Sequence, residues 1–371
     1  MSNSSASKSP VLTILTRDEF KAFADESPYA NFMQSAERGD LREKMGYTVH
    51  YLGLKSPNAK PREAESKETT GEILAAGLLV EKDHEAWLQI GPLLDWDDPE
   101  IIRDFLTATE SYCRSQGIVE LEVYPPVLLS VRSGTEPHLG DVLKTFDRSA
   151  LFDLFKSLGF THLGFTEKLD FKALRWMFVK DLSSISDPRE LELSWGASTR
   201  KKYHQALRNL DIHVLTDKSE LKSWLEPLKE SDAKNHIKTR PLRYFEDLWD
   251  AFGDQATFVE ARLKDTGEIV SSELDLWTPH ESVAFLAGTK TDLKKYNGIV
   301  RIKGWQLEEC LRRQQTRANF YGIDGIFTPD NPLLKSKSGF HGDVEEYVGG
   351  FRKILSPTKF YLGKVKRRLK R

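Results

Sequence analysis

The chain has 371 residues, 39% of them hydrophobic and 11% aromatic, which is ample for buried cores and excludes global disorder. Its length exceeds one ordinary core and suits two domains. Lys and Arg number 54 against 56 Asp and Glu, and the net charge of -2 excludes a uniformly basic nucleic-acid binder while allowing a local basic patch.

The opening MSNSSASKSP is small and polar with no apolar run behind it, so residues 1–10 read as a flexible tail and not a secretion signal. No stretch approaches the roughly 20 apolar residues that cross a bilayer, and a soluble, cytoplasmic protein is expected. Lys55–Gly71 is too charged to pack and reads as a long hairpin loop. Glu72–Lys82 and Glu85–Leu94 read as adjacent strands. Pro99–Cys113 is a helix with proline in its first turn and Ile101, Phe105 and Leu106 on one face. Gly117 stops it, and Ile118–Pro125 is a strand ended by a double proline. ALFDLFKSLGF is a further helix, ending at Gly159.

After Asp170 the pattern begins again. WMFVKDL is a strand, and DPRELELSW starts a helix with an aspartate cap followed by proline. The basic stretch Ser198–Leu210 leads into the strand DIHVLT, followed by two amphipathic helices, SELKSWLEPLKESDAKN and YFEDLWDAF. ATFVEARL, IVSSELDLWT and SVAFLAGTK form a meander whose first turn is Asp265-Thr266-Gly267. GIVRIKGWQLEECLRRQQ is a helix and ANFYGIDG a strand ending in glycine turns. This element order, repeated at similar length, suggests a duplicated mixed α/β unit.

The usual parts of several chemistries are missing. There is no HExxH or paired-His spacing for a metal, no GxSxG elbow, no P-loop and no GxGxxG after a strand. Cys113 and Cys310 lie far apart in helix-like patterns, which indicates neither a disulfide framework nor a zinc cluster. What survives is transfer of an already activated group, where alignment and charge complementarity suffice. The candidates are basic or phenolic. Arg38, Arg42 and Lys44 share a short helix, and Arg240 stands just before a proline-started helix with Tyr244 one turn on. An arginine there pairs a forked donor with free backbone N–H groups, which suits phosphate or carboxylate; a salt-bridged surface arginine is the alternative. Arg200, Lys201 and Lys202 are either a solvated helix face or a contact to an RNA backbone. The terminal Lys364–Arg371 is either a mobile tail or a contact to RNA or anionic lipid. Lys335 and Lys337, just before Gly339-Phe340, are loop charges when their segment is taken alone.

The stretch NFYGIDGIFTPDNPLLKSKSGFHGDVEEYVGGF, Asn319–Phe351, resembles the Fem family (FemABX or MurM-like), non-ribosomal peptidyltransferases of bacterial cell-wall synthesis. SPYANFMQS, LQIGPLLDW, TRPLRYF and YNGIVRIKGWQLEEC agree with it in order and spacing, so the likeness runs from about Ser27 to Leu362. It implies a mixed α/β fold of two GNAT-like domains facing a cleft. On this chain they would span 11–172 and 173–342, with 343–371 returning to complete the first. It also implies an aminoacyltransferase that moves an amino acid from aminoacyl-tRNA to an amine of the peptidoglycan precursor's stem peptide. No cofactor is needed beyond that co-substrate, and a monomer is expected. Lys337 matches the lysine of the family's FK-x-GF motif, used near the tRNA acceptor end and the reacting ester, and is the expected catalytic residue. Arg240 and Tyr244 match positions that hold the nucleotide-linked muramyl peptide, and Arg42 a basic residue that meets the same diphosphate. The chain departs from the family at Ser336, where an aromatic is usual, and at Ala284 and Leu286, where tyrosines line the channel. The strand end at Val123-Tyr124-Pro125 lacks an acidic residue, so no general base is assigned. YFEDLWDAF runs straight into the next strand, which leaves no room for a helical-hairpin arm. Grip on tRNA then falls to Arg200, Lys201 and Lys202, and the basic tail offers peripheral contact with the inner membrane leaflet. A GNAT-type N-acyltransferase using acyl-CoA is the alternative, weakened by the glycine-poor turn KYNGIV. A non-catalytic protein that keeps the fold is the third reading.

Overall fold

The computed structural model describes residues 9–56 and 72–361. The expectations for the N-terminal tail, for the loop over 57–71 and for the basic end Lys364–Arg371 lie outside or almost outside those residues. β1 (Val11–Ile14) leads to α1 (Arg17–Glu26), started by a reciprocal cap between Thr16 and Glu19. α2 (Ala36–Lys44) follows from the Ser35 cap. β2 (Thr48–Lys55), β3 (Ile73–Lys82) and β4 (Glu85–Leu88) then pair antiparallel in turn. The strand expected to continue to Leu94 stops at Leu88. Ile90 takes a left-handed backbone and Pro92 has no N–H to offer, so the chain turns before Leu93 rejoins the sheet beside Ala76.

α3 (Pro99–Ser115) starts on the Asp98 cap with Pro99 in first place, as its sequence indicates, and buries Ile102, Phe105, Leu106, Thr109 and Cys113. The apolar face therefore begins at Ile102, one position past the Ile101 expected. The helix carries the chain back so that β5 (Glu120–Val123) joins β4 in parallel. β6 (Leu128–Ser133) and β7 (Val142–Thr145) form a hairpin, followed by α4 (Ser149–Ser157) and the short β8 (Thr161–His162).

The second half runs through β9 (Trp176–Asp181), α5 (Pro188–Leu193), α6 (Ala197–Asn209), β10 (Leu210–Val214), α7 (Leu221–Lys234) and α8 (Leu242–Phe252). β11 (Ala256–Leu263), β12 (Ile269–Trp277) and β13 (Glu281–Thr289) are the antiparallel meander, turning first at Gly267, whose φ is +72°. α9 (Gly298–Arg312) brings β14 (Arg317–Gly322) back parallel to β13. α10 (Pro332–Ser338), β15 (Asp343–Tyr347) and β16 (Phe351–Ile354) complete the chain. A single 3-10 turn over Gly253–Gln255 separates α8 from β11, with no helical hairpin between them.

Two compact units result: 1–127 with 147–165 and 348–371, and 128–146 with 166–347. The first holds a seven-stranded sheet, β1-β2-β3-β4-β5-β16-β8, and the second a nine-stranded one, β10-β11-β12-β13-β14-β9-β15-β6-β7. Each contains the same device, an antiparallel meander followed by a helical crossover to a parallel strand: β4–α3–β5 in one, β13–α9–β14 in the other. That is the duplication suggested by element order. The sequence-based boundaries shift, because β15 inserts between β9 and β6 by its backbone ladder and so belongs to the second unit. Only the chain from Val348 onward serves the first, where β16 pairs with β5 and β8. The hairpin β6–β7, assigned by sequence to the first domain, also lies in the second.

Glycine sets how closely helix and sheet approach in the second unit. A Cβ on Gly288 of β13 would lie 2.4 Å from the Leu228 Cα of α7, a backbone atom that no side-chain adjustment can move aside. Gly288→Ala is therefore expected to destabilise the protein by about 1–3 kcal/mol in denaturant unfolding; an unchanged midpoint would mean that α7 shifts freely.

Candidate functional site

The end of β14 is distorted. Its register against β9 shifts between Asn319 and Gly322, and Tyr321 sits at φ +67°. A bulge of this kind takes backbone groups out of the ladder, and they must bond elsewhere. Lys337 Nζ takes them, donating to Tyr321 O at 3.2 Å and to Gly322 O at 2.9 Å. The lysine is placed by α10, which begins where the Asn331 side chain accepts from Leu333 N–H, with Pro332 in first place. Leu334 anchors the helix in the core with no exposure. At its far end the Lys180 ammonium donates to Phe340 O and His341 O at 2.9 and 3.0 Å. The segment read from sequence as a loop is thus a short helix tied down at both ends. Lys335 is exposed, whereas Lys337 is half-buried.

Burial pushes the Lys337 amine down to about 7; the nearby Lys303 charge adds to this and Glu273 opposes it. Burial likewise lowers Lys180 to about 8. The surroundings of Lys337 thus make its charge responsive to pH near neutrality.

A line of aromatic contacts joins this lysine to two other sequence candidates. The Arg240 guanidinium lies 5.0 Å from the Tyr244 ring and 5.9 Å from the Phe285 ring. Phe285 meets Tyr321 edge-on at 5.4 Å, and Tyr321 supplies one of the carbonyls held by Lys337. Arg240 is exposed and makes no ion pair among the described residues. Tyr244 is buried in the first turn of α8. Sequence reasoning missed Phe285, having looked for aromatics at Ala284 and Leu286. β12 pairs Leu274 with Leu286 and Asp275 with Ala284, so Phe285 is the extra residue of a bulge.

The remaining candidates lie elsewhere. Arg42, at the end of α2 in the first unit, stacks over Tyr47 at 4.9 Å, and Lys82 approaches the same ring at 4.4 Å. Arg200 is half-buried; its guanidinium donates to Leu193 O at 3.2 Å and to Trp195 O, pinning the end of α5. It therefore does internal work, and only Lys201 and Lys202 of that basic triplet face solvent.

Behind Lys337 the second unit carries a polar interior that the sequence did not reveal. Lys303 of α9 donates to Glu273 of β12 at 2.8 Å and to Gln306 at 3.3 Å, and Gln306 donates to Ser282 at 3.3 Å. Asp275, two residues along the same face of β12, is fully buried, and no N–H or O–H donor reaches either of its oxygens. Burial and the adjacent Glu273 raise its pKa well above the ordinary aspartate value. The only sequence signal was the run SSELD in a strand otherwise apolar enough to be central. Cys113 and Cys310 are buried thiols pushed up to about 12, which removes thiolate chemistry.

Tandem α/β units with matching crossovers are the fold of GNAT-like acyl-transferring enzymes, and comparison with known proteins agrees. The structure matches that of FemX with a TM-score of 0.76 at 16% identity, over 95% of this chain and 99% of that one. A tandem GNAT protein from the clavulanic acid biosynthesis pathway gives a TM-score of 0.53 at 11% identity, over 94% and 99%. Aminoacyltransferase FemA of Staphylococcus aureus (strain MW2) is 22% identical over 432 aligned positions, covering 96% of this chain and 99% of its own length. The FemAB family profile matches residues 15–266 and 259–367. The chain belongs to the FemAB family, and it is an aminoacyltransferase.

The depressed Lys337 amine also makes stability depend on pH. Between its folded value of about 7 and the ordinary lysine value, the unfolded chain binds the extra proton, so its contribution to stability rises with pH across that window. Lys337→Met removes the dependence. The melting temperature of the variant relative to the parent should therefore fall as pH is raised from 6 to 9 in paired thermal scans, and a constant difference would contradict the buried environment.

Proposed function

We propose that this aminoacyltransferase moves an amino acid from aminoacyl-tRNA to an amine of the peptidoglycan precursor's stem peptide, in interpeptide bridge synthesis. An aminoacyl ester is already activated, so an amine attacks it without a protein nucleophile. What the protein supplies is alignment and charge at the tetrahedral oxyanion. The observation that carries the reading is the anchored Lys337, joined through Tyr321 and Phe285 to the unpaired Arg240. In this reading Lys337 lies by the ester, and Arg240 and Tyr244 hold the diphosphate of the precursor. Lys201 and Lys202 contact the tRNA backbone, with Arg200 fixing the helix that presents them. The reaction takes place in the cytoplasm on a monomer, with no cofactor beyond the charged tRNA, and the basic C-terminal end adds contact with the inner leaflet. Among the described residues no helix is long and apolar enough to cross a membrane.

Acyl-CoA is a poorer donor for this site. The turn into α9 has the single glycine Gly298, where an added Cβ would meet Ser271 Oγ at 2.3 Å. That glycine serves close packing against β12, not the cradling of a pyrophosphate.

The direct test incubates the protein with a panel of charged tRNAs and either the soluble nucleotide-linked precursor or the lipid-linked one, with added residues read by mass spectrometry. Transfer that is lost after RNase treatment is expected; no addition with any pairing, from a folded preparation, overturns the proposal. Activity that survives RNase and needs an acyl-CoA would favour the other donor. Lys337→Ala should slow transfer by roughly tenfold or more with precursor affinity nearly unchanged. Arg240→Ala should weaken precursor binding by roughly tenfold to a hundredfold, the worth of one charge-assisted contact, while transfer at saturating precursor changes little. The reverse pattern would mean the two ligands have been exchanged.

A further inference from the structure

Phe171 is 54% exposed, and among the described residues it is the one phenylalanine, tyrosine or tryptophan of the second unit that is more than half exposed. A single apolar side chain in water is ordinary; this one is set apart by where it is held. It stands in a turn over Asp170–Leu174, closed by Leu174 N–H donating to Asp170 O at 2.7 Å and by Lys172 N–H donating to the Asp170 carboxylate at 2.8 Å. The residues leading into that turn are fastened to the loop past β14. Leu169 N–H donates to the Asp324 carboxylate and Gly325 N–H to Glu167 O at 2.6 Å, while the Arg175 and Trp176 side chains both donate to Thr166 O at 2.9 Å. A Cβ on Gly322 would lie 2.5 Å from Leu169 Cδ1, so the segment packs directly on the bulge. The Phe171 ring lies 25° from parallel to the Tyr321 ring with centroids 6.4 Å apart, and Tyr321 O is one of the two carbonyls that Lys337 holds, at 3.2 Å.

We propose, on the reading above that Lys337 lies by the ester, that Phe171 is the platform on which the base of the terminal nucleoside of the aminoacyl-tRNA stacks. A ring kept in water on a segment held this firmly forgoes its own burial, and a flat apolar face is what an unpaired nucleobase stacks on. Two donors carry an adenine, and the separation of base from reacting carbonyl distinguishes them. In an aminoacyl-tRNA the terminal base and the ester share one ribose, so a base on Phe171 leaves the ester within reach of Lys337, one residue away through Tyr321. In an acyl-CoA the whole pantetheine arm lies between adenine and thioester, which is far more than that single residue spans. The stack fixes the end of the RNA without reading phosphates, and so orients the ester before the amine arrives.

A thermodynamic cycle on RNA binding tests this. The probes are two synthetic acceptor-stem minihelices with a single-stranded 3′ end, identical except that one ends in adenosine and the other in an abasic ribose. For the parent protein, removing the base should weaken binding by roughly fivefold to a hundredfold, the range for one base on an aromatic ring. Phe171→Ala should weaken binding of the complete minihelix by the same factor and leave the abasic one unchanged, and Phe171→Trp should keep full affinity. With 2-aminopurine as the terminal base, fluorescence should be quenched on binding to the parent and to Phe171→Trp, but not to Phe171→Ala. An equal loss for both minihelices in Phe171→Ala would mean that the ring only supports the structure around Tyr321. Equal binding of the two by the parent would mean that no base is held here. Either result overturns the inference and leaves the reaction itself in place. Coenzyme A binding that falls in Phe171→Ala while both minihelices bind as before also overturns it, in favour of the other donor. If the parent binds neither minihelix nor any charged tRNA, the functional reading fails and the stacking platform with it.

Discussion

The second unit turns on one local exchange: a strand gives up two carbonyls at a bulge, and a lysine from a separate helix takes them. Without the bulge at Tyr321 and Gly322 those oxygens would belong to the sheet, and without Lys337 they would lose the ammonium that now donates to both. The two features require each other. Their joint consequence is an amine held in a fixed place with no carboxylate paired to it among the described residues, an arrangement that costs stability.

The first unit shows what the same architecture does with charge when no such demand exists. Near its parallel crossover strand, Arg352 pairs with Glu120 at 2.5 Å and with Glu122 at 2.7 Å, and Glu122 also accepts from the Tyr124 hydroxyl. Elsewhere in the second unit the buried cations are paired too, Arg317 with Glu345 and Glu281, Arg175 with Glu346. Lys180 and Lys337 instead donate to backbone carbonyls. Lys180 is 3% exposed and holds the residues just past α10, so its work is to anchor the segment that carries Lys337. Lys337 is the half-buried one of the two.

Much of this was legible in sequence where a signal is local. Asp98-Pro99 and Asp187-Pro188 mark helix starts because cap and fixed φ act within one turn, and Asp265-Thr266-Gly267 marks a hairpin because a left-handed backbone is needed there. Arg240, Tyr244 and Lys337 were found by resemblance, and the structure collects them in one unit. What escaped depends on partners from distant elements. Phe285 enters the aromatic line through a bulge, which a two-residue period cannot reveal. Lys303 looks like any helix charge until Glu273 arrives from β12, and Arg200 reads as an RNA contact until the carbonyls of α5 claim it. The domain boundary moved for a related reason: β15 is placed by ladders to β6 and β9, and ladders are long-range.

Why a lysine at this position and not an arginine follows from the same geometry. A guanidinium is planar, stays charged at any pH a cell reaches, and would offer the two carbonyls a fork with no lone pair behind it. A lysine amine bonds both carbonyls with two hydrogens and keeps one tetrahedral position whose character depends on protonation. Burial, with the Lys303 charge adding to it, brings that choice into the neutral range. The bulge and the short helix are then parts of one arrangement, since the strand frees the carbonyls and the helix delivers the nitrogen that holds them.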